Sequence, residues 1–278
     1  MCSSDLGQGK PAFHQAIREK YGTDRVSPEQ WAEVVRVYYG MVSRVDDQLG
    51  RIMQSLDQSG QLDNTLVVFL TDHGEYLGDF GLVEKWPSAM DRSIVHNPVI
   101  FAGAGVAENA EASTFAEMLD ILPTLLELAD IKPAHTHFGR SLVPCLGDSS
   151  HQVRDRAFSE GGFALSELSL MEQPTGGYYR NKQELQHEQP EVVGKVISMR
   201  TRDYTYVYRL YEEDELYDRK ADPEETINLL SAQEHSQTVE ALRGDMLQWL
   251  LASADTIPWK ADPRLPKVPN GQHELFTG

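Results

Sequence analysis

Asp72 and His73 stand side by side in Thr71-Asp72-His73-Gly74-Glu75, directly after an apolar run, and a lysine follows at position 85. Asp72 offers a hard, charged oxygen and His73 a neutral nitrogen, a donor pair suited to a divalent cation. Successive residues of a regular strand point to opposite faces, so both reach one ion only where the strand has broken into a turn. Gly74 permits that break. The same pair also reads as a structural or solvated strand end, and the residue types leave both readings open. Downstream, Gly78 and Gly81 frame a tight loop, Gly78-Asp79-Phe80-Gly81-Leu82-Val83-Glu84-Lys85, that could carry Lys85 back over the strand end. There its ammonium would hold an anionic oxygen of a substrate and offset charge in the transition state. As an isolated loop lysine beside Glu84 it would be a solvated surface charge.

The elements that must position these residues are legible around them. Thr65-Leu66-Val67-Val68-Phe69-Leu70 predicts a strand, and its continuous apolarity predicts burial on both faces, as in a parallel sheet covered by helices. In such sheets ligands gather at the carboxyl ends of strands, which is where Asp72 and His73 fall. A second run, Pro98-Val99-Ile100-Phe101-Ala102, ends at Gly103. Ahead of the first strand, Ser27-Pro28-Glu29-Gln30 has the spacing of a capping box with proline at the first helical position. Trp31, Val34, Val35, Tyr38, Met41, Val42, Val45, Leu49, Ile52, Met53 and Leu56 then recur at helical steps, predicting a long amphipathic helix with one buried face that stops at Gly60.

Asp120 reads as the N-cap of a helix carrying Leu122, Leu125, Leu126 and Ala129, with Pro123 in its first turn. Residues 133–189 read as long loops with a short strand near Arg156 to Ser159. Val196 to Met199 and Tyr204 to Tyr208 predict an antiparallel hairpin. Val239, Leu242, Met246 and Trp249 mark a helix, and Pro258, Pro263, Pro266 and Pro269 an extended tail. The chain is thus expected to run as an irregular lead (1–26), an α/β part (27–150), a small α+β part (151–254) and a Pro-rich tail (255–278).

Composition narrows the function classes. The 278 residues carry 25 Lys+Arg against 43 Asp+Glu, a net charge of −18. This excludes the basic footprint of a phosphate-tracking nucleic-acid binder and of a polybasic membrane dock. Cys2 and Cys145 are too few and too far apart for a disulfide framework. The longest aliphatic or aromatic run, Leu66 to Leu70, is far short of a membrane span, so membrane insertion is not expected. Met1-Cys2-Ser3-Ser4-Asp5-Leu6 has neither the basic nor the apolar region of a signal peptide. It reads like translated sequencing-adapter DNA, with a polar tail as the alternative, and the expectation is a protein that begins further upstream.

The segment Thr71-Asp72-His73-Gly74-Glu75-Tyr76-Leu77-Gly78, with Lys85 downstream, resembles the second metal-binding motif of the sulfatases, in the alkaline-phosphatase superfamily. Tyr38-Tyr39-Gly40-Met41-Val42-Ser43-Arg44-Val45-Asp46 is similar to the helix preceding that motif. Asp120-Ile121-Leu122-Pro123-Thr124-Leu125-Leu126 resembles the family's D-x-x-P-T-L-L helix, and Phe138-Gly139-Arg140-Ser141-Leu142 its G-x-S-L segment. Glu215-Leu216-Tyr217-Asp218, then Asp222-Pro223-Glu224-Glu225 and Asn228-Leu229, resembles the signature of its C-terminal subdomain.

The resemblance implies an α/β fold: part of an alkaline-phosphatase-like sandwich, mostly parallel sheet between helices, followed by a small α+β subdomain with an antiparallel sheet. It implies that Asp72 and His73 ligate one divalent cation, Ca2+ in the first instance with Mn2+ or Mg2+ as alternatives, and that Lys85 touches the sulfate or the leaving-group oxygen. His73, where many sulfatases have asparagine, resembles the variant shared with phosphonate monoester hydrolases and choline-sulfatase-like enzymes. The expected substrate is a sulfated small molecule or glycan. Family members are often exported, to the periplasm, the extracellular space or the lysosome, though nothing in this chain specifies a compartment or an oligomeric state.

The departures are as informative. The family's nucleophile lies in C/S-x-P/A-x-R, whose Cys or Ser becomes formylglycine. Cys2 is followed by Ser4 and Leu6 at the relevant offsets and Cys145 by Gly147 and Ser149. Ser88, Ser150 and Ser198 have arginine four residues on but Met90, Gln152 and Arg200 at the Pro/Ala position. No catalytic nucleophile is therefore identified, and the chain reads as the C-terminal portion of a sulfatase, inactive alone. A phosphonate or phosphate ester hydrolase and a non-catalytic module are the alternatives. Elsewhere, His135-Thr136-His137 reads as ordinary loop histidines and Glu212-Glu213-Asp214-Glu215 as a solvated acidic turn. Tyr204, Tyr206 and Tyr208 read as sharing one face of a small sheet.

Overall fold

The computed structural model describes residues 7–254 apart from 104, 134, 172 and 175; Cys2, the rest of the first six residues and the expected Pro-rich tail lie outside the described residues. In chain order come α1 (Ala12–Tyr21), α2 (Pro28–Gln58), β1 (Leu66–Leu70), α3 (Arg92–Val95), β2 (Val99–Gly103), α4 (Ile121–Leu128) and α5 (Val143–Gly147). Then follow β3 (Ala157–Gly161), α6 (Arg180–Glu188), β4 (Val196–Arg200), β5 (Tyr204–Arg209), β6 (Glu215–Asp218) and α7 (Ser236–Ser253). Two compact units result: residues 7–103 with 158–239, and residues 105–157 with 240–254.

α2 starts as its sequence dictates. The Gln30 amide donates to Ser27 Oγ and the Ser27 amide to the Gln30 side chain, closing the capping box. Past its end Gly60 takes a positive φ of 67°. The expected buried face is corrected. Trp31 is buried, but Met41, Val45 and Ile52 are each more than half exposed. Periodicity tells which face of a helix is apolar; it does not tell whether another element covers that face.

The mostly parallel sheet is also corrected. β1 and β2 pair antiparallel, with Leu66 opposite Gly103 and Leu70 opposite Val99. A parallel return needs a crossover of a dozen or more residues, usually a helix. Among the described residues 71–98 the α-helix is the four-residue α3, and the chain comes straight back instead. Nor is β1 sealed on both faces: all five residues are half-buried, and Ile100 of β2 is exposed.

The core of the first unit lies around the loop after β1. Tyr76, Phe80, Leu82 and Trp86 from that loop bury against Phe13 and Ile17 of α1, Leu185 of α6, and Val192 and Val193. Fully burying a large apolar side chain contributes about 1.5–3 kcal/mol. A segment with little regular secondary structure is thus ordered by its side chains. Beside it stands a four-stranded sheet in the order β3-β4-β5-β6. The expected hairpin is present, antiparallel, with Val196 opposite Arg209 and Arg200 opposite Thr205.

Three further expectations change. The stretch read as loops holds α5, a 3-10 turn over Leu165–Leu170, and α6. The inward face of α6 carries Gln183, Leu185 and Gln186, two polar residues out of three, so it has no apolar signature. Asp120 makes no side-chain cap at the start of α4. It is fully buried and accepts from the Glu117 and Arg140 amides at 2.8 and 2.7 Å and from Arg154. Asp214 and Glu215 are buried rather than solvated. Arg209 Nε donates to Glu215 at 2.6 Å, and Tyr206 Oη to Asp214 at 2.5 Å. Their partners lie outside the acidic run, which is why the run alone misleads.

Candidate functional site

β1 ends at Leu70 and the chain turns through residues 72–74. The Gly74 amide donates to Ile94 O at 2.8 Å, and a Cβ at Gly74 would lie 1.8 Å from Ser93 O. The glycine is therefore required by close backbone approach to α3. Asn97 Nδ2 donates to Asp72 O at 3.2 Å and pins the other side of the turn.

This turn brings the three expected site residues together. His73 Nδ1 lies 2.8 Å from Gly74 O, where it donates, leaving the lone pair on Nε2. Asp72 Oδ2 lies 3.4 Å from that nitrogen and Lys85 Nζ 2.5 Å from it. A carboxylate oxygen, an imidazole lone pair and an ammonium thus converge at one point. The Asp72 side chain is 84% exposed and that of His73 35% exposed, so the cluster is open to ligands.

Lys85 is carried by a loop held in an unusual backbone. Leu77, Phe80 and Glu84 have φ of 49°, 54° and 62°, in the left-handed region. Such conformations cost roughly 1–2 kcal/mol per non-glycine residue, and the burial of Tyr76, Phe80 and Leu82 offsets them. Glu75 accepts from the Glu84 amide at 2.6 Å and the Leu77 amide at 3.2 Å, cinching the loop just before Lys85. Beyond it, Trp86 Nε1 and Ser88 Oγ both donate to Val192 O, and Arg209 of β5 donates to Ser88 O at 3.0 Å.

Two residues that the sequence reading did not single out belong to this setting. Asp91 is buried with Tyr76, whose hydroxyl donates to it, and takes Lys10 at 2.8 Å and His14 Nε2 at 3.1 Å. Burial disfavours its charge, but Lys10 and His14 outweigh that and hold the carboxyl well below the usual carboxylate range. Burial, with Asp91 beside it, pushes the Tyr76 phenol well above its usual value. Lys182 of α6 donates to Lys85 O at 3.0 Å. Partial burial and Lys85 pull its pKa below the ordinary lysine value, with Glu84 and Glu75 opposing. Neither contact has a local sequence signal, since the partners are tens of residues apart.

Asp72 and His73 suit a divalent cation as part of a donor set: one hard oxygen and one imidazole nitrogen, with the Gly74 carbonyl fixing the ring through Nδ1. Among the described residues no third carboxylate, imidazole or thiol joins them. His137 meets Gly139 O at 3.1 Å, and the pair with His135 gathers no further ligand there either. Burial pushes the Cys145 thiol up, away from nucleophilic thiolate character. A cavity of about 610 Å3 lined by Asp79, Phe80, Arg92, Ser93, His96, Glu224 and Thr226 includes none of the three converging residues. Their chemistry, not that cavity, marks the candidate site.

Comparison with known proteins agrees with the motifs. The sulfatase family model matches residues 9–131. A multifunctional alkaline phosphatase superfamily protein, PehA of Trinickia caryophylli, is 29% identical over 221 residues, covering 78% of this chain and 40% of its own length. The phosphonate monoester hydrolase of Agrobacterium radiobacter superposes with a TM-score of 0.69 at 26% identity, covering 84% of this chain and 44% of that one. A putative sulfatase from Bacteroides thetaiotaomicron superposes at 0.74 with 23% identity, covering 94% and 54%, a likeness of fold. The chain spans about two fifths of the length of its curated relative. Over residues 9–131 it is similar to the sulfatase family, and over most of its length to members of the alkaline phosphatase superfamily.

Proposed function

We propose that this chain is part of a hydrolase of sulfate esters, supplying two metal ligands, Asp72 and His73, and the anion-binding Lys85. The observation that carries the reading is the meeting of Asp72 Oδ2 and Lys85 Nζ at His73 Nε2. A bound divalent cation, calcium in the first instance with manganese or magnesium as alternatives, would supply Lewis-acid stabilisation of charge on the sulfuryl oxygens. Gly74 O holds the imidazole so that Nε2 is the ligating atom. Lys85, cinched by Glu75, would grip an anionic oxygen of the ester and share the charge that develops as the alcohol leaves. The substrate would be a sulfated small molecule or glycan.

The nucleophile is proposed to lie outside these 278 residues, because no C/S-x-P/A-x-R stands among them. Formylglycine would accordingly form elsewhere in the protein, and this chain alone would not turn over aryl sulfates. A phosphonate or phosphate ester hydrolase on the same scaffold is the second reading, favoured by the likeness to the Agrobacterium phosphonate hydrolase and by a histidine at position 73.

Calorimetric titration of Ca2+ and Mn2+ into the chain, and into Asp72→Asn and His73→Ala variants, tests the metal reading. Binding is expected to weaken at least tenfold in each variant. Equal binding in all three would refute it. Metal-dependent hydrolysis of 4-nitrophenyl sulfate by the chain alone would overturn the placement of the nucleophile. For the complete gene product, comparing 4-nitrophenyl sulfate with a 4-nitrophenyl phosphonate monoester decides between the two ester classes. Turnover of neither, with an intact fold, would favour a non-catalytic module.

A further inference from the structure

Lys182 is held against the site in a manner that anion binding by Lys85 does not account for. α6 carries its ammonium to the carbonyl oxygen of Lys85, 3.0 Å away. That hydrogen bond ties it to the same residue whose own ammonium meets His73 Nε2. Other basic residues in the neighbourhood are paired: Lys20 with Glu184 and Glu188, and Arg180 with Glu184. Among the described residues Lys182 has no carboxylate within 4.0 Å, the ion-pair distance that those residues meet. Glu84 and Glu75 act on it from further off, and Lys85 repels it. A half-buried cation held on a backbone carbonyl, with no anion in contact, carries a desolvation cost that Glu84 and Glu75 offset only from a distance. A ligand carrying negative charge there would remove the imbalance.

We propose that Lys182 is a specificity-determining residue that receives a second anionic group, a carboxylate or another sulfate, on the same substrate whose sulfuryl group Lys85 holds. This rests on the anion-binding reading of Lys85 and deepens it. The substrate class becomes a sulfate ester with at least one further negative charge, bridging two ammonium groups linked through one backbone carbonyl. Lys182 takes no part in bond breaking. Its effect lies in which esters bind.

Methanesulfonate and sulfoacetate test this, since the second is the first with a carboxylate added. Each is titrated into the full 278-residue chain while the His73 imidazole resonances report binding. In the unaltered protein sulfoacetate is expected to bind about tenfold tighter, a difference of ~1.4 kcal/mol. Lys182→Met should abolish that ratio, Lys182→Arg should keep most of it, and the surface variant Lys195→Met should leave it unchanged. A lysine that merely props the loop would weaken both anions together and leave the ratio intact, which would overturn the proposal. So would equal affinities in the unaltered protein, or a ratio that survives Lys182→Met. If neither anion perturbs His73, the anion-binding reading of Lys85 fails, and this inference with it.

Discussion

The buried carboxylate of Asp91 invites the sharpest test of how the site loop is held. Asp91→Asn removes one charge and keeps the shape. The side chains involved are almost solvent-free: Lys10 is 3% exposed, Asp91 5% and His14 1%. The Lys10 ammonium would keep its positions 4.5 Å over the rings of Phe80 and Tyr217. Those contacts exist already, so they do not compensate for the lost carboxylate. Breaking a buried ion pair by removing one partner costs about 3–5 kcal/mol. At ~1.4 kcal/mol per tenfold, the unfolding constant should rise by roughly two to three and a half powers of ten. Urea unfolding followed by tryptophan fluorescence and circular dichroism would measure it. The double variant Lys10→Met/Asp91→Leu should recover only part of the loss, because an apolar pair avoids the desolvation cost while the Tyr76 hydroxyl and His14 Nε2 lose their buried acceptor. A loss below about 1 kcal/mol for Asp91→Asn would refute the reasoning, since it would mean that this charge is hydrated or unpaired in the folded protein.

The same carboxylate predicts a pH effect. Its folded pKa is depressed, so its stabilisation is fully present above the unfolded value near 3.9 and is lost as pH falls through the folded one; acid titration of stability should lose slope below about pH 4 in Asp91→Asn. Gly74→Ala must push the Ser93 carbonyl away from the turn and should cost about 3 kcal/mol or more, read by thermal unfolding. Glu75→Ala frees the Glu84 and Leu77 amides at a cost of about 1–3 kcal/mol, and amide exchange should quicken over residues 76–85. Val45→Gln with Ile52→Gln should leave urea stability of this chain within about 0.5 kcal/mol, because both side chains are exposed; a loss above 2 kcal/mol would show the stripe to be covered.

Local signals survived into the structure and non-local ones did not. Ser27, Pro28 and Gln30 announce the start of α2 within four residues, and the capping box is there. The turn at Asp72-His73 and the return of Lys85 were legible because a strand end, glycines and the three candidate side chains fall within fifteen residues. Strand direction was not: an apolar run such as Leu66–Leu70 looks the same whichever way its neighbour runs. Burial of Asp120, Asp214 and Glu215 was hidden as well. An acidic residue is read as solvated until its arginine is known, and Arg154 and Arg209 become neighbours through folding. Lys182 escaped for the same reason, lying 97 residues from the carbonyl it meets.

The attachment of Ser88 to Arg209 and of Trp86 to Val192 has a practical corollary for anyone trimming this protein. A cut before residue 190 would keep every residue of the Asp72–Lys85 motif and still unmoor the amine, because the ballast that steadies its loop would be gone. Damage in the small antiparallel sheet should therefore be felt first as a drifting lysine rather than as a missing ligand.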